Sequence, residues 1–315
     1  MSADRGLRVT AVVVTWNRRD LLGETLAALR AQTRPVESVV VVDNASDDGT
    51  AQLLAGVANS GTGPDVVTLR VNTGGAGGFA AGIQRALAAH APHWIWLMDD
   101  DTVPTESALA ALMAAADAYP GERPPTVLAS RVLWTDGREH PMNTPRPKPG
   151  LSRAEARRAQ TAGAVAIRSA SFVSILVNAV DVRERGLPVA DYFLWNDDFE
   201  YSTRLLRGRV GLLCPRSVVV HKTRTFGSTD ADPGERFFYE VRNKVWLFTR
   251  SRGLSPLEKA VYAGSTLRRW GRTAARSQDR ATLRRAAWRG LRAGVVRGPR
   301  PTADVLDAAR ASTDA

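Results

Sequence analysis

Residues Trp94-Ile95-Trp96-Leu97-Met98-Asp99-Asp100-Asp101 decide how the chain is read. Trp94–Leu97 is apolar and too short for a buried helix, so it predicts a strand, and three carboxylates follow it. Adjacent carboxylates repel one another unless a cation sits among them. Alternate residues of an extended segment share a side, so Asp99 and Asp101 can face one hard divalent ion, Mg2+ or Mn2+. The competing interpretation is a solvated acidic turn, with Thr102 and Pro104 starting the next helix.

Upstream of this stretch, Val9–Thr15, Val36–Val42 and Val66–Val71 read as strands. Leu21–Gln32, Ala51–Ala58 and Gly78–Ala89 read as helices. The alternation predicts an α/β fold, a mostly parallel sheet with helices on both faces. Ligands of such sheets collect at the carboxyl ends of the strands. Two polar clusters fall there, the turn Asp43–Thr50 and the glycine-rich loop Asn72–Phe79, whose backbone allows close approach of a ligand and whose following helix favours anions. Gly75-x-Gly77-x-x-Ala80 matches a dinucleotide fingerprint, but on the third strand rather than the first, which weakens the match.

Downstream, Pro141–Ser152 with Arg153–Gln160 reads as a loop or lid. Ser171–Val177, Val210–Leu213 and Val218–His221 read as strands, and Phe199–Arg207 as a helix stopped by Gly208. In Trp195-Asn196-Asp197-Asp198-Phe199-Glu200 the carboxylates beside aromatic rings suggest a general base in a partly dry site. Asp198 as a helix cap and Glu200 as a complement to the helix dipole are equally open. His221, at a strand end, is either structural or a third ligand to an ion held by carboxylates.

A chain of 315 residues, 44% hydrophobic, can bury one large domain or one domain with an appendage. The single cysteine, Cys214, excludes an intramolecular disulfide framework and a cysteine-based zinc cluster. No leader or membrane-spanning stretch is read, so a cytoplasmic location or attachment to the inner leaflet is expected. The formal charge of +11 matches the excess between Arg252 and Arg300, where thirteen Lys and Arg face only Glu258 and Asp279. Beyond Pro256 the chain reads as helical, with Arg268, Arg272, Arg276, Arg280 and Arg284 at four-residue spacing and Trp270, Leu283, Trp288 and Leu291 nearby. Segment 252–300 therefore suggests an anionic membrane surface as partner, against a plain solvated face or docking on the body. No nucleic-acid-reading module is evident, and the oligomeric state is not legible.

Six segments in order resemble glycosyltransferase family 2: residues 13–18, 41–50, 72–79, 94–101, 195–201 and 220–222. The resemblance covers about residues 8–250 and implies a GT-A fold, with a catalytic domain over 1–250 and a basic helical tail over 251–315. The donor half would be about 8–101 and the acceptor half about 102–250. It implies that Thr15, Asn17 and Asp43 contact the nucleotide, with Asn72, Gly74, Gly75 and Asp100 around the donor. Asp99, Asp101 and His221 would hold Mn2+ or Mg2+, and Asp198, beside Asp197, would be the base of an inverting displacement. The glycine-rich loop and the triplet are most similar to the galactofuranosyltransferase branch that starts mycobacterial-type galactan. That implies UDP-galactofuranose as donor and a polyprenyl-diphosphate-linked glycan as acceptor; a rhamnosyltransferase using dTDP-rhamnose is the alternative. Tyr239, Arg242 and Asn243 match a further family pattern, read either as packing or as acceptor contact.

Overall fold

The computed structural model describes residues 6–58, 63–226 and 232–311. Its centre is β1, Val9–Thr15, seven residues buried without exception. A strand covered on both faces has no polar side to show, which is why VTAVVVT reads as an unbroken β-branched run. It pairs in parallel with β2 (Ser38–Asp43) and β4 (Trp94–Asp99), and β2 pairs with β3 (Asp65–Thr68). Alternation divides the core in two. Val12 and Val14 join the cluster under α3 (Gly74–Ala89); Ala11 and Val13 join the one that includes Leu22 and Leu26 of α1 (Arg19–Arg30). The helix α2 (Thr50–Ala58) completes the expected alternation.

Beyond β4 the sheet becomes mixed. Its order is β3-β2-β1-β4-β9-β6-β10-β8-β7, with β5 on β10. The added strands are β5 (Thr102–Pro104), β6 (Val127–Leu133), β7 (Arg146–Pro147), β8 (Val165–Ser169), β9 (Ile175–Asn178) and β10 (Gly211–His221). The expected strands at Val210–Leu213 and Val218–His221 are one, β10, whose register with β6 slips between Cys214 and Val218. Thr102 and Pro104 lie in β5 instead of opening a helix; α4 begins at Ala108.

The glycine-rich segment differs from its expected form. Helix α3 starts at Gly74, four residues earlier than the sequence suggests, because its glycines serve packing. A Cβ on Gly78 would stand 2.4 Å from Val14 Cγ1, and one on Gly82 2.3 Å from Val12 Cγ1, so α3 lies directly on β1. The segment 141–160 is tied down as well. Asn143 is buried, β7 pairs with β8, and α5 (Arg153–Thr161) opens on a reciprocal Ser152–Glu155 capping box.

Helices α6 (Ala179–Arg185), α7 (Asp197–Leu205) and α8 (Phe237–Thr249) lead to the C-terminal region. There α9 (Pro256–Arg276) ends at Ser277 and α10 (Arg280–Val296) starts anew, so the arginine series is split between two helices. Gly290 and Gly294 bring α10 against α8. The last helix, α11 (Thr302–Arg310), returns to the sheet, where Val305, Leu306 and Ala309 share the core with α3. Among the described residues no helix is long and apolar enough to cross a membrane.

Candidate active site

Parallel register sets the strand ends side by side: Thr15 lies opposite Asp43, and Val14 opposite Asp99. β5 then doubles back antiparallel to β10, placing His221 opposite Thr102, and the Lys222 amide donates to the Asp101 carbonyl at 2.8 Å. Asp99, Asp101 and His221 thereby offer one ligand atom each, all within 4.8 Å of one another. Ligand atoms about 2.0–2.1 Å from a Mg2+ ion span up to about 4.2 Å across it, so the set fits a small divalent ion after slight contraction.

The surroundings carry the mark of such a site. His221 Nε2 lies 3.0 Å from Asp101 Oδ1 without hydrogen-bond alignment, leaving that buried oxygen without a hydrogen bond. His221 Nδ1 faces Asn143 Oδ1 at 2.9 Å, which turns Nε2 toward the carboxylates. Burial pushes Asp99 up to about 6, with Asp101 adding to it, and pushes Asp100 up to about 7 against the pull of Arg18. Burial also raises Asp101, but His221 and Arg18 outweigh it and hold this carboxyl below its ordinary value. Burial lowers His221, and Asp101 more than offsets that, so the imidazole is raised. Arg18 meets Asp101 directly and reaches Asp100 Oδ1 at 3.5 Å.

Asp197 and Asp198 open α7, two residues earlier than the sequence places the helix, so Asp198 lies within the first turn and is not the cap. Its Oδ1 accepts from the Phe199 amide at 2.6 Å. Burial raises Asp198, opposed by that amide and by Lys244 and Arg146; burial and Asp198 raise Asp197 well above the carboxylate range. The preceding loop is strained: Phe193, Trp195 and Asn196 all have φ between 62° and 65°. Each such residue costs about 1 kcal/mol or more when it is not glycine. Asn243, fully buried, offsets this by donating from Nδ2 to the carbonyls of Tyr192, Leu194 and Trp195 at 2.8–2.9 Å. Arg242 holds the carbonyls of Asp191 and Tyr192. Both side chains thus hold the loop backbone. Tyr239 stacks on Phe193, centroids 5.0 Å apart.

The other expected donor residues divide. Thr15 and Asp43 are buried at their strand ends; Asp43 Oδ1 accepts from the Ser46 amide at 3.0 Å. Asn17 joins two loops, its Oδ1 accepting from the Asp47 amide at 2.8 Å. Asn72 Oδ1 accepts from the Gly74 amide and from Asn44 Nδ2. Gly74 has φ +68° and lies against the Phe193 carbonyl, where a Cβ would stand 1.9 Å from the oxygen. A Cβ on Gly75 would lie 3.8 Å from Asp197 Oδ2, so the start of α3 abuts the second acidic pair. Asp100 Oδ2 accepts from the Trp16 amide at 3.2 Å. Sequence reasoning missed Asn44, Arg18 and Asn143. Asn44 Oδ1 accepts from the Thr73 amide and hydroxyl, joining the β2 end to the start of α3. Its one signal was its place in the Asp-Asn-Ala-Ser turn.

Residues 10–173 match the family model described as Glycosyl transferase family 2. A galactofuranosyltransferase, GlfT1, of Mycobacterium tuberculosis is 30% identical over 270 residues, covering 77% of this chain and 82% of that protein. Among solved structures, S. aureus TarS residues 1–349 with UDP-GlcNAc shares 16% identity at a TM-score of 0.61, over 91% of this chain and 81% of that one. GalNAc-T7 with UDP, GalNAc and Mn2+ shares 17% identity at a TM-score of 0.57, over 75% of this chain. The chain spans 44% of the longer TarS chain and 47% of GalNAc-T7. The structural likeness carries the fold, which is GT-A.

Proposed function

The chain belongs to glycosyl transferase family 2, and on that premise we propose that it transfers galactofuranose from UDP-galactofuranose to a polyprenyl-diphosphate-linked glycan, with inversion. The observation that carries the reading is the Asp99–Asp101–His221 set, whose ligand atoms lie within 4.8 Å of one another, with the buried Asp198 carboxyl acting electrostatically on Asp99. Asp198 takes the proton of the acceptor hydroxyl, whose oxygen attacks the anomeric carbon as the bond to the nucleoside diphosphate breaks. Asp99, Asp101 and His221 hold Mn2+ or Mg2+, which when bound stabilises charge on the departing diphosphate. Thr15, Asn17 and Asp43 frame the nucleotide, while Asn72, Gly74, Gly75 and Asp100 close the donor pocket. The galactofuranosyltransferase relative supports the choice of sugar, and the UDP and Mn2+ in structural neighbours support the type of donor and ion.

The protein works at the inner leaflet of the plasma membrane. On α10, Trp288, Leu291 and Val295 recur at helical spacing and are exposed, flanking the glycine face that packs on α8, with Arg284 and Arg292 beside them. A donor panel of UDP-galactofuranose, UDP-galactopyranose and dTDP-rhamnose, with and without Mn2+, tests the assignment by release of nucleoside diphosphate. Metal-dependent turnover of UDP-galactofuranose is expected. Turnover of dTDP-rhamnose instead would overturn the donor and leave the fold and base in place.

A further inference from the structure

Two cations lie against Phe199, the residue after Asp198, and both act on the Asp198 carboxyl; neither has an ion-pair partner among the described residues. Lys244, on α8, is 7% exposed, with Nζ 5.0 Å from the Phe199 ring centroid and 5.9 Å from that of Phe248. Arg146, on β7, places Cζ 5.5 Å from the same Phe199 ring and 5.8 Å from the Tyr262 ring. Strand β7 and helix α8, distant in sequence, thus bring a guanidinium and an ammonium to the residue after Asp198.

An ammonium this deeply buried ordinarily has an anion against it. Glu240, one turn earlier, and Asp198 both act on Lys244 without forming an ion pair with it; Glu240 is engaged already, since it accepts from Asn196 at 2.7 Å and from Trp270 at 3.1 Å and pairs with Arg269. Burial lowers Lys244 to about 8, so it still carries its charge at neutral pH. Phe199 presents its ring to both cations and Tyr262 to Arg146, and Leu257 and Val261, one turn apart on the helix that carries Tyr262, are exposed. Arg18 is the cation at the Asp99–Asp101 set, so this pair is a separate positive centre.

We infer that Arg146 and Lys244 form an acceptor subsite for the diphosphate of a prenyl-linked substrate, with Tyr262, Leu257 and Val261 beside its hydrocarbon. Lysine and arginine together suit a phosphate, the one as a compact charge and the other as a planar fork. This rests on the lipid-linked acceptor of the proposed function and names the residues that recognise it. Bound there, the diphosphate orients the glycan toward Asp198 without touching the donor carboxylates.

The test is calorimetric titration of the full chain with geranyl diphosphate in EDTA, where donor chemistry plays no part. Wild type is expected to bind it, and geranyl glucoside at least ten-fold more weakly. Arg146→Gln, at an exposed residue, and Lys244→Met are each expected to lose ten-fold or more, with UDP binding in Mn2+ unchanged. Unchanged affinity in Arg146→Gln overturns the subsite. So does full displacement of the probe by UDP with Mn2+, which would place it in the donor pocket. A loss confined to phosphatidylglycerol vesicles would instead assign the pair to a lipid headgroup and overturn it also. The donor panel fails or succeeds separately: geranyl diphosphate bound through Arg146 by a protein inert toward UDP-galactofuranose would sink the donor and keep the subsite.

Discussion

His221 Nδ1 lies 2.9 Å from Asn143 Oδ1, and this contact turns the other ring nitrogen toward Asp99 and Asp101. Replacing Asn143 with leucine keeps the branched shape of the side chain and removes the acceptor. Mn2+ affinity, read by electron paramagnetic resonance of the free ion, is expected to fall about 10- to 100-fold, as for other outer partners of ligating histidines. Unchanged affinity would remove Asn143 from the account.

Asn243 restrains three carbonyls of the loop that delivers Asp197 and Asp198. Asn243→Ala strands buried carbonyls in a segment with three left-handed residues. Denaturant unfolding is expected to show a loss of about 2–4 kcal/mol. Turnover should fall more than donor affinity, because the loop leads into the proposed base, Asp198. A stable variant of normal turnover would mean the loop holds itself.

The pH dependence of stability follows from the crowded carboxyls. Asp99 at about 6 and Asp100 at about 7 are raised above their unfolded values, so the folded protein binds more protons between pH 4 and pH 7. Their contribution is present at low pH and is lost as pH rises through the folded values; the raised His221 acts in the same direction. In EDTA the melting temperature should therefore be higher at pH 5 than at pH 8. Mn2+ should narrow the gap by compensating the ionised carboxylates. A melting temperature in EDTA that rises from pH 5 to pH 8 would contradict the shifts.

The parallel half of the fold was legible because its central strands are buried on both faces and so appear as β-branched or apolar runs, Val9–Thr15 above all, while the edge strand β3 stays half exposed. The Asp99–Asp101–His221 cluster, which could hold a metal, was legible as polar chemistry at strand ends. Other features depend on contacts between distant segments. Gly74–Gly78 reads as a loop by propensity, yet packing of Gly78 on Val14 and of Gly74 on the Phe193 carbonyl makes it helix. Asn143 sits in a proline-rich stretch with no pattern, and its partner lies in β10. The arginine series appeared continuous because periodicity carries no mark of the break at Ser277.

Membrane attachment is testable on the exposed face of α10. Trp288→Glu with Leu291→Glu is expected to reduce sedimentation with phosphatidylglycerol liposomes at least ten-fold at physiological salt, about 0.15 M. Donor hydrolysis should be unaffected. Equal sedimentation of wild type and variant would leave the inner-leaflet assignment without support.

The most direct measurement is turnover of UDP-galactofuranose by Asp198→Asn, alongside its affinity for UDP in Mn2+. The account predicts that turnover falls about 100- to 10,000-fold, the scale of a lost general base, while UDP affinity stays within a few-fold. Near-normal turnover by the variant would contradict the assignment of Asp198 and the mechanism built on it.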